Sequence, residues 1–407
     1  MKITKIESFP VKLQFKEPFV IANISNYDMY YVIVKITTDE GIIGYGEAIP
    51  AWEVTGETQF SVIDVINHFC EPKKSGFNLM GQDITTLDNV RNLFTKIIPQ
   101  GHLAIIAKAP SAKAALEGAI LDALGKKNNK PIYKLFGGKN RIIPVNKVIG
   151  IYPLEESLKH IQNAINSNVN IIKLKVGIPN IGNLPGFKRD IELIKLAHKL
   201  IKDSGKKIKL VADANQGFIT PENTIEICKQ IEGCLDWLEQ PIYSEDKTGF
   251  KKIKENCNIK LMADESIHSY YDAKFLLESG SIDYINLKIM KTGGLFEALR
   301  IADLAATYNV PCQMGSMLEN VLGCAHSIHT YLSHPNIVTA ELSSFTRLKE
   351  CIGSGVTLNN NQTVSITENP GLGVIINDSE IQKFLISEED SITYQQFRGG
   401  FNVKRNS

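Results

Sequence analysis

The chain opens on an alternation of polar and apolar residues. Ile3-Thr4-Lys5-Ile6-Glu7-Ser8-Phe9 repeats with period two, and Tyr30-Tyr31-Val32-Ile33-Val34-Lys35-Ile36 is β-branched and aromatic. A turn at Thr38-Asp39-Glu40-Gly41 leads into Ile42-Ile43-Gly44-Tyr45-Gly46-Glu47, so the pattern predicts an antiparallel sheet. Helical spacing follows over residues 58–70 and 87–98. A third, alanine-rich helix is expected over 111–124, with Ser111 as its N-cap and Gly125 as its stop. These elements predict an α+β unit over residues 1–125.

From about residue 143 short apolar strands alternate with amphipathic helices. Strands are expected at 145–149, 171–176, 209–212, 237–239, 260–263, 284–287, 311–314 and 338–342, with helices such as 190–202, 221–231 and 295–308 between them. Eight β units over roughly 200 residues predict a modified TIM barrel, (β/α)7β, over residues 140–352. An open doubly wound sheet would want a glycine-rich phosphate loop after an early strand, and Val176-Gly177-Ile178-Pro179 is not one. The segment 353–407 is expected to return to the first unit and complete it as a capping domain, ending in a polar tail from about 387.

Composition narrows the classes. Apolar residues make up 43% and charged residues 22% of 407, enough to fill a large core. A net charge of +1 gives no electrostatic case for nucleic acid or a membrane surface as partner. Cysteines at 70, 228, 234, 257, 312, 324 and 351 have neither the count nor the spacing of a disulfide framework or zinc site, which fits a reducing cytoplasm. The charged, alternating N-terminus reads as a strand, not a signal peptide, and no apolar run reaches about 18 residues.

Chemistry is expected where barrel strands end. Strand two ends Lys173-Leu174-Lys175, and period two puts both lysines on one face, the barrel interior. A lone Lys-x-Lys is more often a solvated edge, so the pair gains meaning from its neighbours. Strands three, four and five end at Asp213, Glu239 and Asp264, spaced 26 and 25 residues, about one βα repeat each. Three converging carboxylates repel unless a cation holds them; all-oxygen donors select Mg²⁺, with Mn²⁺ an alternative, over Zn²⁺. The competing reading is three separate structural acids capping helices. Lys288 ends strand six, 24 residues past Asp264, opposite strand two; Lys291 is expected in the loop beyond it, where Gly293-Gly294 permits a tight turn.

As a set, Lys-x-Lys on strand two, Asp/Glu/Asp on three to five and Lys-x-x-Lys-x-Gly-Gly after six resemble the muconate lactonizing subgroup of the enolase superfamily. Gly44-Tyr45-Gly46-Glu47-Ala48, Leu135-Phe136-Gly137-Gly138 and Pro370-Gly371-Leu372-Gly373 are similar to its capping-domain, lead-in and closing motifs. The resemblance implies an isomerase that removes the proton beside a metal-bound substrate carboxylate through an enediolate. It assigns Lys175 and Lys288 as the two bases, with Lys173 positioning the carboxylate and tuning Lys175. Two opposed bases imply a racemase or epimerase. An unperturbed lysine near pKa ~10.4 is too basic for this work, so neighbouring positive charge is expected to depress it.

Local wording is most similar to the dipeptide epimerases, notably 285–294 and Gly315-Ser316-Met317-Leu318-Glu319. Glu319, Glu341, Ser343, Asn215 and Asn286 are the expected substrate-binding residues. Those epimerases carry Asp-x-Asp on strand eight, where this chain has Glu341-Leu342-Ser343, which opens N-succinylamino acid racemase, o-succinylbenzoate synthase and cycloisomerase activities as alternatives. The expected partner is a small carboxylate, a dipeptide or N-acylamino acid, and the expected assembly a homo-oligomer. Loops near 18–28 and 50–56 are expected over the mouth, with Phe19, Tyr27 and Trp52 as pocket candidates, and residues 178–187 as an inserted loop.

Overall fold

The computed structural model of the protein describes residues 1–22, 24–70, 78–97, 109–167, 169–178 and 187–386. The inserted loop and polar tail expected at 178–187 and beyond 387 lie almost wholly outside the described residues.

Strands β1 (Ile3–Ile21), β2 (Ile24–Thr38) and β3 (Ile43–Ala48) form an antiparallel sheet in that order. The first strand runs well past residue 9, and 18–28 is not a loop: Phe19 pairs with Asn26 and Ile21 with Ile24 at the hairpin tip. Central β2 buries residues on both faces, Val32 and Val34 as well as Tyr31 and Ile33. One cover is the helix Pro110–Lys127, buried from Pro110 to Gly125, which explains why its alanine-rich sequence shows no single apolar stripe. Its backbone lies directly on β3: a Cβ on Gly44 or Gly46 would overlap the carbonyls of Ala119 and Ala115.

Two expectations about this helix need correction. Ser111 is not the N-cap; Ala109 is, with Pro110 at the first helical position, and the carboxylate of Glu57 accepts from Ser111 N and Ala112 N at 2.9 and 3.0 Å. Gly125 does not end the helix. It makes room for the closing segment, since a Cβ there would lie 2.6 Å from Gly371 Cα. Periodicity could not show a cap supplied from 54 residues away.

After β4 (Ile143–Pro144) come the eight parallel barrel strands. They are β5 (Lys147–Ile149), β6 (Ile171–Lys175), β7 (Lys209–Asp213) and β8 (Trp237–Glu239). The ring continues with β9 (Leu261–Ala263), β10 (Tyr284–Leu287), β11 (Cys312–Met314) and β12 (Ile337–Ala340). Each pairs with the next, and the ring closes where Val145 bridges Ala340 and Asn146 N donates to Ala340 O at 2.8 Å. This is the expected TIM-like barrel with an N-terminal capping domain.

Period two then sorts the interior into layers. Ile171, Val211, Trp237 and Met262 form a separate buried cluster with Tyr284 packed against it. Two residues further along the same strands stand Lys173, Asp213, Glu239, Asp264 and Asn286. The apolar cluster is the floor on which the polar layer rests.

Strands β13 (Val356–Leu358) and β14 (Thr363–Ile366) make a small sheet with β4. The chain then reaches the capping sheet: Leu372 N donates to Asp122, and Asp378 takes Lys35 at 2.6 Å and the Tyr45 hydroxyl at 3.0 Å. Among the described residues no helix is long and apolar enough to cross a membrane.

Candidate active site

Asp213, Glu239 and Asp264 are the last or next residues of β7, β8 and β9, and each is 0% exposed. One oxygen from each lies within 4.8 Å of the others. A Mg²⁺ octahedron with ligands at about 2.1 Å sets oxygens roughly 3 to 4 Å apart, so the donor set and its spread fit a hard divalent cation. Glu239 Oε2 has no hydrogen-bond partner among the described residues, although Lys173 Nζ lies 2.7 Å from it as an ion pair.

Four amines surround the triad. Lys173 Nζ, 1% exposed, meets Glu341 at 2.6 Å, Glu239 at 2.7 Å and Asp213 at 3.3 Å. Lys175 Nζ lies 2.5 Å from Asp213 and 2.8 Å from Asn215 Oδ1. Lys288 Nζ is 2.6 Å from Asp264. Lys291, expected in the loop, is instead fully buried in the short helix Ile289–Thr292, 2.7 Å from Asp264 Oδ1. Three residues past Lys288, it returns to the same face by one helical turn, the spacing that could have found it.

Electrostatics follow from this crowding. Burial opposes charge on Lys173, yet Glu239, Glu341 and Asp213 outweigh it and hold its pKa well above the ordinary value. Lys288 is likewise raised, burial losing to Asp264, Glu265 and Glu239. At Lys173 and Lys288 the surrounding carboxylates outweigh both burial and any neighbouring amine. Burial would push the Asp264 carboxyl up, but the Lys288 and Lys291 ammonium groups hold it far below the carboxylate range. Glu239 is pushed well up by burial and by Asp213.

The amines open on a cavity of about 140 Å³ between barrel and cap, where Lys175, Asn215, Lys288, Glu341 and Ser343 form wall. Lys175 and Lys288 belong to strands two and six, four places apart in a ring of eight. Of the aromatic candidates only Phe19 lines it; Tyr27 and Trp52 are 66% and 47% exposed elsewhere.

Other expected residues sit differently. Glu319 is behind the wall: its carboxylate is taken by the Ser316 hydroxyl and by Met317 N at 2.9 Å, while Ser316, Met317 and Leu318 line the cavity. Asn286 does not reach the cavity either; its amide donates to Glu239 at 2.8 Å and Asp264 at 3.3 Å, steadying the acids. Glu341 lines the cavity but its Oε1 already accepts from Lys173 and from Gln313 Nε2 at 3.0 Å.

Glu265 and Arg347 line the cavity although neither is among the expected site residues. Glu265 follows Asp264, and alternation would turn it away; the strand ends at Ala263, so the turn re-aims it to accept from Asn215 at 2.9 Å. Burial and the Asp264 charge push its carboxyl up to about 7. Arg347, on the 3₁₀ turn Ser344–Arg347, also lines the cavity, and no strand pattern points to it.

Comparison with known proteins agrees with this geometry. Residues 3–137 match the family model described as the mandelate racemase / muconate lactonizing enzyme N-terminal domain, and 156–380 the enolase C-terminal domain-like model. The chain is 30% identical to an N-succinyl-L-Arg/Lys racemase of Bacillus cereus over 392 residues, 96% of this chain and 99% of that protein. The crystal structure of that racemase superposes with a TM-score of 0.84 over 95% of this chain and 99% of its own. An L-Ala-D/L-Glu epimerase of Bacillus subtilis is 31% identical over 378 residues, 92% of this chain and 97% of that one. A dipeptide epimerase of Cytophaga hutchinsonii, solved with Mg and the dipeptide D-Ala-L-Val, has a TM-score of 0.82 at 27% identity, covering 94% and 98%. With both halves matched and the barrel carrying its acids and lysines at successive strand ends, the chain belongs to the mandelate racemase / muconate lactonizing enzyme family of the enolase superfamily.

Proposed function

We propose that the protein is a Mg²⁺-dependent racemase or epimerase that inverts the α-carbon of a dipeptide or N-acylamino acid by moving a proton between two lysines. One observation carries this reading. Lys175 and Lys288 line a single cavity from strands four apart in the ring, each ion-paired to a different acid of the triad. An α-proton leaving one face and returning on the other needs two such bases. The racemase and epimerase names of the Bacillus relatives support the same chemistry.

The triad of Asp213, Glu239 and Asp264 is the holder of the cation. A divalent ion there supplies positive charge that offsets charge growing on the substrate carboxylate and takes up the carboxylate charge that otherwise keeps Lys288 protonated. The protein's own groups do the rest. A neutral amine at one lysine accepts the α-proton at Nζ, and the ammonium at the other returns one to the opposite face. Asp213 and Asn215 aim Lys175, Asp264 aims Lys288, and Asn286 steadies the acids. Phe19 and Val54 from the capping domain help exclude water.

The test is incubation with Mg²⁺ in deuterium oxide against a panel of L,L-dipeptides and N-succinylamino acids. Inversion with deuterium at the α-carbon is the expected result. A panel returned wholly unlabelled would remove the proposal.

A further inference from the structure

The guanidinium of Arg347 is half-buried on the cavity wall. Its Nη2 donates to Val148 O at 3.0 Å, and its carbon lies 4.2 Å above the Phe19 ring. Among the described residues no carboxylate stands within ion-pair distance of it. Glu341 and Glu17 are the acids near enough to feel its charge, with the Tyr152 hydroxyl. Glu341 is committed elsewhere, at 2.6 Å from Lys173. Lys147, on the neighbouring strand, adds a second cation to the region. A partly desolvated arginine on a ligand cavity, with Nη2 on a backbone carbonyl and no carboxylate within ion-pair distance among the described residues, has planar donors suited to a ligand carboxylate.

The same geometry argues against a free ammonium at this end. An ammonium would need an uncommitted acid. The strand-eight acid is spent on Lys173, and Ser343 brings no charge. Glu53 and Glu265 also line the cavity; Glu53 has an interaction of its own, and Glu265 stands past strand five, where it accepts from Asn215 at 2.9 Å.

We infer that Arg347 is a specificity-determining residue that receives a second carboxylate of the substrate, remote from the one beside the reacting carbon, so that the substrate is a dianion such as an N-acylamino acid with a dicarboxylic acyl group. The inference rests on the racemase reading and adds the class of substrate.

The experiment compares α-deuteration of N-succinyl-leucine, N-acetyl-glutamate, N-acetyl-leucine and L-Ala-L-Leu by the Mg²⁺-loaded wild type and by Arg347→Met and Arg347→Lys. N-succinyl-leucine is expected to exceed N-acetyl-leucine in kcat/KM, with the difference mainly in KM. Arg347→Met should shrink that ratio roughly tenfold to a hundredfold, the worth of a charge-assisted pair, and Arg347→Lys should restore part of it. Because the ratio is taken within one variant, a folding defect cancels. Preference for N-acetyl-glutamate instead places the second carboxylate on the side chain and still supports the assignment. Equal handling of N-succinyl-leucine and N-acetyl-leucine, or a ratio unmoved by Arg347→Met, overturns it. Labelling of the dipeptide alone overturns this inference and leaves the racemase reading standing, whereas no labelling of any substrate removes both.

Discussion

Lys173 on strand two and Glu341 just past strand eight are joined by a 2.6 Å ion pair across the turn of the barrel that links its first and last strands, 168 residues apart in the chain. Both groups are buried, and Lys173 also serves Glu239 and Asp213. One amine therefore balances three acids. Replacing Lys173 with Met should leave those acids repelling one another in a medium of low polarity, at a cost of about 3–5 kcal/mol. Melting curves should show a lower Tm than wild type and a larger upward shift on adding Mg²⁺; an unchanged Tm would contradict the pairing.

Metal binding can be read without turnover. Saturating Mg²⁺ should raise Tm, corresponding to about 2.7 kcal/mol at a hundredfold excess over Kd. Asp213→Asn, Glu239→Gln and Asp264→Asn should each abolish most of the shift. A shift that survives all three substitutions would place the ion elsewhere.

The two lysines should be separable by isotope. Lys175→Ala and Lys288→Ala are each expected to lower racemisation by about a thousandfold or more, within the span general-base removal commonly causes. Each variant should still exchange the α-proton of the enantiomer served by its remaining lysine. Proton NMR on both enantiomers reads this directly. Loss of both exchanges in one variant and neither in the other would mean a single base.

Glu47, on capping strand β3, accepts from Asn320 N at 2.9 Å at the start of the helix Val321–Ser333, so the cap domain holds a barrel helix by its N-terminus. Burial pushes its carboxyl up to about 8, against the pull of the Gly323 and Asn320 N–H groups, and Glu319 adds to the rise. An unfolded glutamate titrates near ~4.3. Between those values the folded state carries a proton that the unfolded state has lost, so this group's contribution makes stability fall as pH rises and levels off above about pH 8. The slope is at most about 1.4 kcal/mol per pH unit. Glu47→Gln keeps the acceptor and removes the slope. Its Tm relative to wild type should therefore climb between pH 5 and pH 8.5, and a constant difference in calorimetry would refute the assignment.

Legibility tracked the range of the interaction responsible. All eight barrel strands lie within a few residues of their expected places, because alternation and apolar runs are local consequences of strand geometry. The spacing of Asp213, Glu239, Asp264 and Lys288 was readable for the same reason: a repeating βα unit returns the chain to the same rim at nearly constant length. Lys291 was misjudged because a one-turn helix was read as loop, and Ser111 because its cap comes from distant Glu57.

By itself, then, the order of residues determined the barrel and the strand-end places of Lys173, Lys175, Asp213, Glu239, Asp264 and Lys288, since these follow from backbone periods of two and about 25. Only tertiary structure decided what each group meets. It ties Glu341 to Lys173, turns Glu319 behind the wall, brings Glu265 to the cavity and leaves Arg347 on its wall with no carboxylate in ion-pair reach among the described residues. Those outcomes depend on ring closure and on how strand ends bend, where partners are selected by proximity in space and no local pattern records them.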